Sequence, residues 1–285
     1  MQNVKCNLCG ANETFLAAIQ NDYRMVACRR CGLVYANPRP APEALIALYN
    51  TYHQRNGKGA ETWGTLMEQN FREVSSLLNL RFPDKGRLLD IGCGYGHFMA
   101  MMQGHGWKVS GMEPSEKASA YALAKGLDVS RTVIEQAGYP EASFDAVTAF
   151  YVIEHLFDPL AALIKILVLL KQGGILVLRI PHTTPIVKLL GALGISNNLY
   201  DMPFHLYDFS PKTIRLMLEK AGFENIRVTP GRPTTPHRRS ERAVSLVSGN
   251  TARMLFLLSG GRILLPGVSK TITAIKPMNS EGHGA

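Results

Sequence analysis

Leu88-Leu89-Asp90-Ile91-Gly92-Cys93-Gly94-Tyr95-Gly96 is an apolar run that ends in an acid and three glycines at alternate positions. Arg87 to Ile91 reads as a strand and His97 to Gln103 as the start of a helix, so the glycines form the turn between them. A glycine turn there lets backbone approach a ligand closely, at the carboxyl end of a strand where open α/β sheets bind ligands. The spacing, Asp-x-Gly-x-Gly-x-Gly, departs from the dinucleotide fingerprint Gly-x-Gly-x-x-Gly, which seats a pyrophosphate on the helix start.

A second strand, Lys108 to Met112, ends in Glu113-Pro114, 23 residues after Asp90. That is the position from which a carboxylate accepts from both hydroxyls of a ribose; the alternative is an acid favoured by the dipole of the helix from Glu116. Further along, strands at 144–149, 174–180, 223–228 and 271–275 alternate with helices at 116–125, 160–170 and 212–221. This rhythm predicts an α/β fold, a largely parallel sheet with helices on both faces. Segments 182–208 and 230–268 break it and are expected to be insertions over the acceptor side.

Upstream, residues 63–81 carry apolar side chains at helical spacing, and the prolines of 36–45 mark a linker that leads into a helix at Pro42-Glu43. Segment 51–60 reads as a loop. The N-terminus holds Cys6-x-x-Cys9 and Cys28-x-x-Cys31, 18 residues apart. Two such knuckles at that separation predict a zinc ribbon, its four thiolates enclosing a structural ion with no open position. The expected organisation is a ribbon over 1–40, a helical linker and cap over 41–85, and the main domain over 86–285.

The chain has 285 residues, 46% of them hydrophobic, and a formal charge of +9. It is long enough for a sizeable core. No leader-like or membrane-spanning run is evident, which predicts a cytoplasmic protein. The positive balance suits an anionic partner or simply a solvated basic surface; part of it is local, in Arg232, His237, Arg238, Arg239 and Arg242.

Taken together, LLDIGCGYG, GMEPS, FDAVTAFYVIEHLFDP and GGILVLRIPH resemble the successive motifs of class I S-adenosylmethionine (SAM)-dependent methyltransferases. HLYDFSPKTIRLMLEKAGF is similar to the branch that includes ubiquinone-type O-methyltransferases and deoxysugar C-methyltransferases, some of which carry a module resembling CGLVYANPRP. The resemblance spans roughly residues 1 to 230 and implies a Rossmann-like fold. It implies that Asp90, Gly92, Gly94 and Glu113 bind SAM, with Cys93 and Pro114 beside them. Ile134 and Glu135 are expected near the adenine and Phe150 near the methionine part. SAM carries a cationic amino group and sulfonium and no phosphate, so a carboxylate at the loop entrance is sensible chemistry. By its own chemistry Cys93 reads as a small residue chosen for fit.

Methyl transfer is an in-line displacement in which alignment matters most, and a base helps when the acceptor is a hydroxyl or a carbon acid. Tyr151, His155 and His205 are the candidates, with Tyr207 behind them. In the related O-methyltransferases a Glu-x-x-Glu-His run can bind a metal; here Tyr151 stands at its first position, which argues against metal assistance. His155 then reads as structural or cofactor-side. His205 reads either as a general base or as a buried histidine pinning the cap. The expected acceptor is a small molecule, a sugar or glycan precursor, methylated on oxygen or carbon. An RNA methyltransferase is the first alternative, but AFYVIEH lacks the Asn/Asp-Pro-Pro-aromatic signature of base-amino methylation, so nucleic acid is not the expected partner. A non-enzymatic zinc-binding interaction protein is the second. The apolar segment 253–265 either packs on the core or touches a membrane. Oligomeric state is not encoded in any motif.

Overall fold

The computed structural model describes residues 1–45, 60–235, 239–262, 264–265 and 269–278. The loop expected at 51–60 falls almost wholly outside them, as do His237 and Arg238 of the basic cluster. Two sheets organise the chain. The smaller contains β1 (Thr14–Gln20), β2 (Tyr23–Cys28), β3 (Val34–Ala36) and β9 (Tyr207–Asp208), in that order. The larger runs β10-β11-β8-β7-β4-β5-β6. Its strands are β4 (Arg87–Ile91), β5 (Lys108–Met112), β6 (Asp128–Ser130), β7 (Phe144–Phe150), β8 (Leu170–Ile180), β10 (Glu224–Pro230) and β11 (Lys270–Ile275).

From β6 to β8 the neighbours are parallel, and β11 and β10 join antiparallel at one edge. The chain leaves β4 toward β5 and β6, then returns to β7 on the other flank of β4. The carboxyl end of β4 is therefore the topological switch point, where such sheets open a crevice.

The interior strands are buried on both faces, as parallel strands must be. Leu89, Val147 and Leu178 point into one apolar cluster, while their neighbours Leu88, Ala146 and Val177 point into another. The second cluster is closed by α1 (Ala60–Arg81), whose Met67, Phe71, Val74 and Leu78 are buried at helical spacing. It also takes Phe98 and Met102 of α2 (His97–Gly104). The first cluster is covered by α4 (Pro159–Leu169) and α6 (Pro211–Ala221). Helix α3 (Glu116–Ala124) is capped by Ser115.

Several elements differ from the expected ones. Strand β8 begins at Leu170, directly after α4, and Gly173 takes a positive φ of 69° where the strand was expected to begin. The insertion after β8 contains α5 (Thr184–Ala192) and then β9; the insertion after β10 contains α7 (Arg239–Leu258). The two-residue β9 is too short to show a periodicity, and it pairs with β3 of the N-terminal module: Val34 with Asp208, Tyr35 with Tyr207. The module thus shares one sheet and one apolar cluster with the main domain, Leu33, Tyr35 and Met25 lying with Ile153, Leu206 and Phe209. The boundary drawn at residue 40 is a boundary in sequence that the sheet crosses.

Candidate active site and zinc centre

The glycine turn after β4 folds back on β5. Gly92 and Cys93 both donate from their amides to the Met112 carbonyl, at 2.7 and 3.1 Å. Gly92 has φ 65°, and a Cβ there would stand 2.5 Å from Val152 Cγ2, so both conformation and space demand glycine. Gly94 donates its amide to Glu113 Oε2 at 2.9 Å, and the Ser115 amide donates to Oε1 at 2.8 Å. Glu113 is 6% exposed, and burial raises its pKa against those two amides, which favour the charged form. Each carboxylate oxygen has a second lone pair, so both remain able to accept from a diol.

Asp90 is buried at the end of β4 and accepts from Thr148 Oγ1 at 2.6 Å. Desolvation pushes its pKa up to about 7, with the nearby Glu113 charge adding to the rise. Cys93 Sγ fills the space above Gly111, where an added Cβ would meet it at 2.8 Å; burial raises its thiol pKa far above the usual range. The reading of Cys93 as a residue chosen for fit describes this packing. Pro114 is exposed at the strand end. Ile134 is buried in a 3-10 turn, Ile134–Gln136, and its neighbour Glu135 is exposed. Phe150 meets Phe71 and Phe98 edge-on at 5.1 and 4.9 Å, so its ring is part of the cluster under α1.

The three candidate bases follow β7 in the chain. Tyr151 has φ 58°, uncommon for a residue with a side chain. Its hydroxyl accepts from Arg179 Nε at 2.9 Å and lies 2.7 Å from Ser269 Oγ. Both partners engage the Tyr151 hydroxyl. Tyr207 is engaged in the same way. Its hydroxyl donates to the Phe157 carbonyl and accepts from Arg39, each at 3.0 Å.

His155 and His205 come together although 50 residues separate them, their rings 4.7 Å apart and T-shaped. His155 Nδ1 sits 3.0 Å from the Phe204 carbonyl, and Leu206 donates its amide to the Glu154 carbonyl at 2.8 Å, so the post-β7 turn and the cap are stitched together. Burial pulls His155 down to about 3 and His205 to about 4, leaving both imidazoles neutral near pH 7. Glu154 has no accessible surface, and both its oxygens lack a hydrogen-bond partner; burial pushes it up to about 8. Glu154, His155 and His205 present ligand atoms within 4.8 Å of one another. In sequence Glu154 is marked only by its place beside His155. Lys270 is also fully buried, with Nζ donating to the carbonyls of Pro181 (2.6 Å) and Phe209. Asp208 accepts from the amides of Thr183 and Thr184 and from the Thr184 hydroxyl. A lysine opening an apolar strand looks like a surface residue in sequence; only the fold buries it.

The four cysteines converge as the knuckle spacing predicts. Cys6 and Cys31 sulfurs are 3.5 Å apart, as are Cys9 and Cys28, and all four lie within 4.8 Å. A tetrahedral zinc with Zn–S of about 2.3 Å needs sulfurs about 3.8 Å apart, so the cluster fits that ion with little adjustment. All four thiols are free of disulfides.

A methyltransferase-domain family matches residues 65–228, more than half of the chain. Ubiquinone biosynthesis O-methyltransferases are similar over part of the chain. That of Dinoroseobacter shibae is 32% identical over 155 residues, 50% of this chain and 62% of its own length. One from Cereibacter sphaeroides is 30% identical over 172 residues, 56% of this chain and 70% of its own. A SAM-dependent methyltransferase structure from Thermotoga maritima superposes with a TM-score of 0.55 at 19% identity, covering 81% of this chain and 99% of that one; at that identity it speaks for the fold. The chain belongs to the class I SAM-dependent methyltransferases, with a cysteine cluster built for zinc at its N-terminus.

Proposed function

We propose that the protein transfers the methyl group of SAM to a hydroxyl oxygen of a small molecule. The observation that carries the cofactor half is Glu113, buried at the switch point and fixed by the amides of Gly94 and Ser115 with lone pairs to spare for a ribose. SAM, when bound, supplies an electrophilic methyl group. Around it, Glu113 accepts from the ribose hydroxyls, the Gly92–Gly94 turn offers backbone at close range, and Asp90 balances the cationic methionine end. Its oxygen acceptor is supported by the neutral His205, which can take a hydroxyl proton as the bond forms, and by the O-methyltransferase names of the relatives. Aromatic hydroxyls come first among the acceptors to be tried; sugar hydroxyls of glycan precursors follow from the sequence resemblance.

Turnover with a panel of phenols and nucleotide sugars tests the acceptor class. On an accepted substrate, His205→Asn is expected to lower kcat about a hundredfold while leaving SAM affinity unchanged by calorimetry. Undiminished kcat would reduce His205 to a pin for the cap.

Asp90 gives a pH dependence with a definite sign. Its pKa stands near 7 before the cofactor binds, and a bound cation favours the carboxylate. Below that pH, binding must release a proton, so SAM affinity is expected to fall by up to about tenfold per pH unit. Above it, affinity should be flat until SAM's own amino group loses its proton, at about pH 8. Calorimetry in buffers of different ionisation enthalpy would show the proton release, and Asp90→Asn should abolish it.

A further inference from the structure

Helix α7 ends in apolar side chains that the described residues leave uncovered. Met254 is exposed, as are Leu257 (75%) and Leu258 (77%), and Val247 continues the stripe two turns earlier. Beside this end lies a cavity of about 310 Å³ whose lining includes Lys212 and Arg215 of α6, Arg262, Val228, Phe256 and Leu264, and no carboxylate. The turn after α7 builds it: the Gly261 amide donates to the Phe256 carbonyl at 2.8 Å, which brings the chain back so that Arg262 joins Phe256 in one wall. Arg253, on the same helix, is engaged elsewhere, its Nη1 2.6 Å from Glu73 Oε1.

Three cations without an acid suit a phosphate group. The exposed leucines and methionine at the end of the same helix have no use for a soluble anion, but they suit the acyl boundary of a bilayer when nearby cations meet its headgroups. No described helix is long and apolar enough to cross a membrane, so contact here would be peripheral. We propose that this face docks on an anionic bilayer, with a lipid phosphate between Lys212, Arg215 and Arg262 and with Met254, Leu257 and Leu258 in the headgroup–acyl boundary. The inference stands whether or not the acceptor is a phenol.

The test is co-sedimentation of the zinc-loaded chain with phosphatidylcholine vesicles, with and without phosphatidylglycerol. Binding is expected only to the phosphatidylglycerol vesicles and should weaken as salt rises. The pair Leu257→Asn with Leu258→Asn, and separately Lys212→Ala with Arg262→Ala, should each lower partitioning at least about tenfold at unchanged melting temperature and SAM affinity. Four results would overturn the proposal: no binding, equal binding to both vesicle types, indifference to the leucine pair, or inorganic phosphate bound through Lys212 and Arg262 without vesicle binding.

Discussion

Glu113→Ala is expected to weaken SAM binding about a hundredfold, the effect of losing two charge-assisted hydrogen bonds to a buried ligand. The substitution removes the acceptor for a ribose and also strands the amides of Gly94 and Ser115, now held at 2.9 and 2.8 Å. Glu113→Gln separates the two effects. It keeps the volume, but its amide nitrogen must face one of two backbone donors, so affinity should still fall by about tenfold or more. Calorimetric titration with SAM and S-adenosylhomocysteine reads both variants. Unchanged affinity in the alanine variant would remove Glu113 from the cofactor site, and no binding by the folded, zinc-loaded parent chain would remove the cofactor assignment itself.

Stripping zinc should separate the two halves of the site. β3 pairs with β9, and residues 204–206 just before β9 hold His155 and the Glu154 carbonyl. Arg39 reinforces the link, donating to the Phe157 carbonyl at 2.9 Å and to Tyr207 Oη at 3.0 Å. Asp90 and Glu113 lie in the other sheet, on β4 and just after β5. Treatment with a strong chelator, or Cys28→Ser with Cys31→Ser, is therefore expected to open residues 1–40 and the 200–210 cap to protease and to abolish turnover. SAM affinity should stay within about threefold, because the glycine turn does not rest on the ribbon. Structural zinc sites contribute many kcal/mol to folding, so the first unfolding transition should fall by about 10 °C or more. If cap and turnover survive without zinc, the β3–β9 pairing is dispensable. If SAM binding collapses along with them, the two sheets fold as one cooperative unit.

The parts of this site that were legible in sequence are those built from near neighbours. The glycine turn needs positive φ at residues a few positions apart, and only glycine supplies that cheaply, so the motif shows in the string. Glu113 sits one crossover away, at a separation set by the length of one helix and one strand. The cysteines announce themselves because each knuckle is a local turn and zinc accepts few ligand sets. Apolar runs likewise predicted six of the seven strands of the larger sheet, since burial on both faces favours apolar residues there; the three-residue β6, Asp128–Ser130, carries no such run.

What the tertiary structure decided is which distant segments meet and what that meeting does to their charges. Nothing local to Tyr207 or Asp208 says that they extend the ribbon's sheet; two residues carry no periodicity, and the pairing is set by the packing beneath them. Glu154, His155 and His205 form one cluster only because the cap folds over the post-β7 turn, and their pKa shifts follow from the desolvation this causes. Lys270 and Arg179 look like surface cations in sequence and are buried because carbonyls and hydroxyls from other elements satisfy them. The reverse holds at Leu257 and Leu258, whose composition suggests core and whose place at the free end of α7 leaves them in solvent. Sequence by itself determined the fold class, the glycine turn and the four-cysteine cluster, because short-range backbone geometry and ligand chemistry restrict residue type directly. The acceptor side was left to the tertiary structure, because burial and pairing there depend on contacts between segments that the chain keeps far apart.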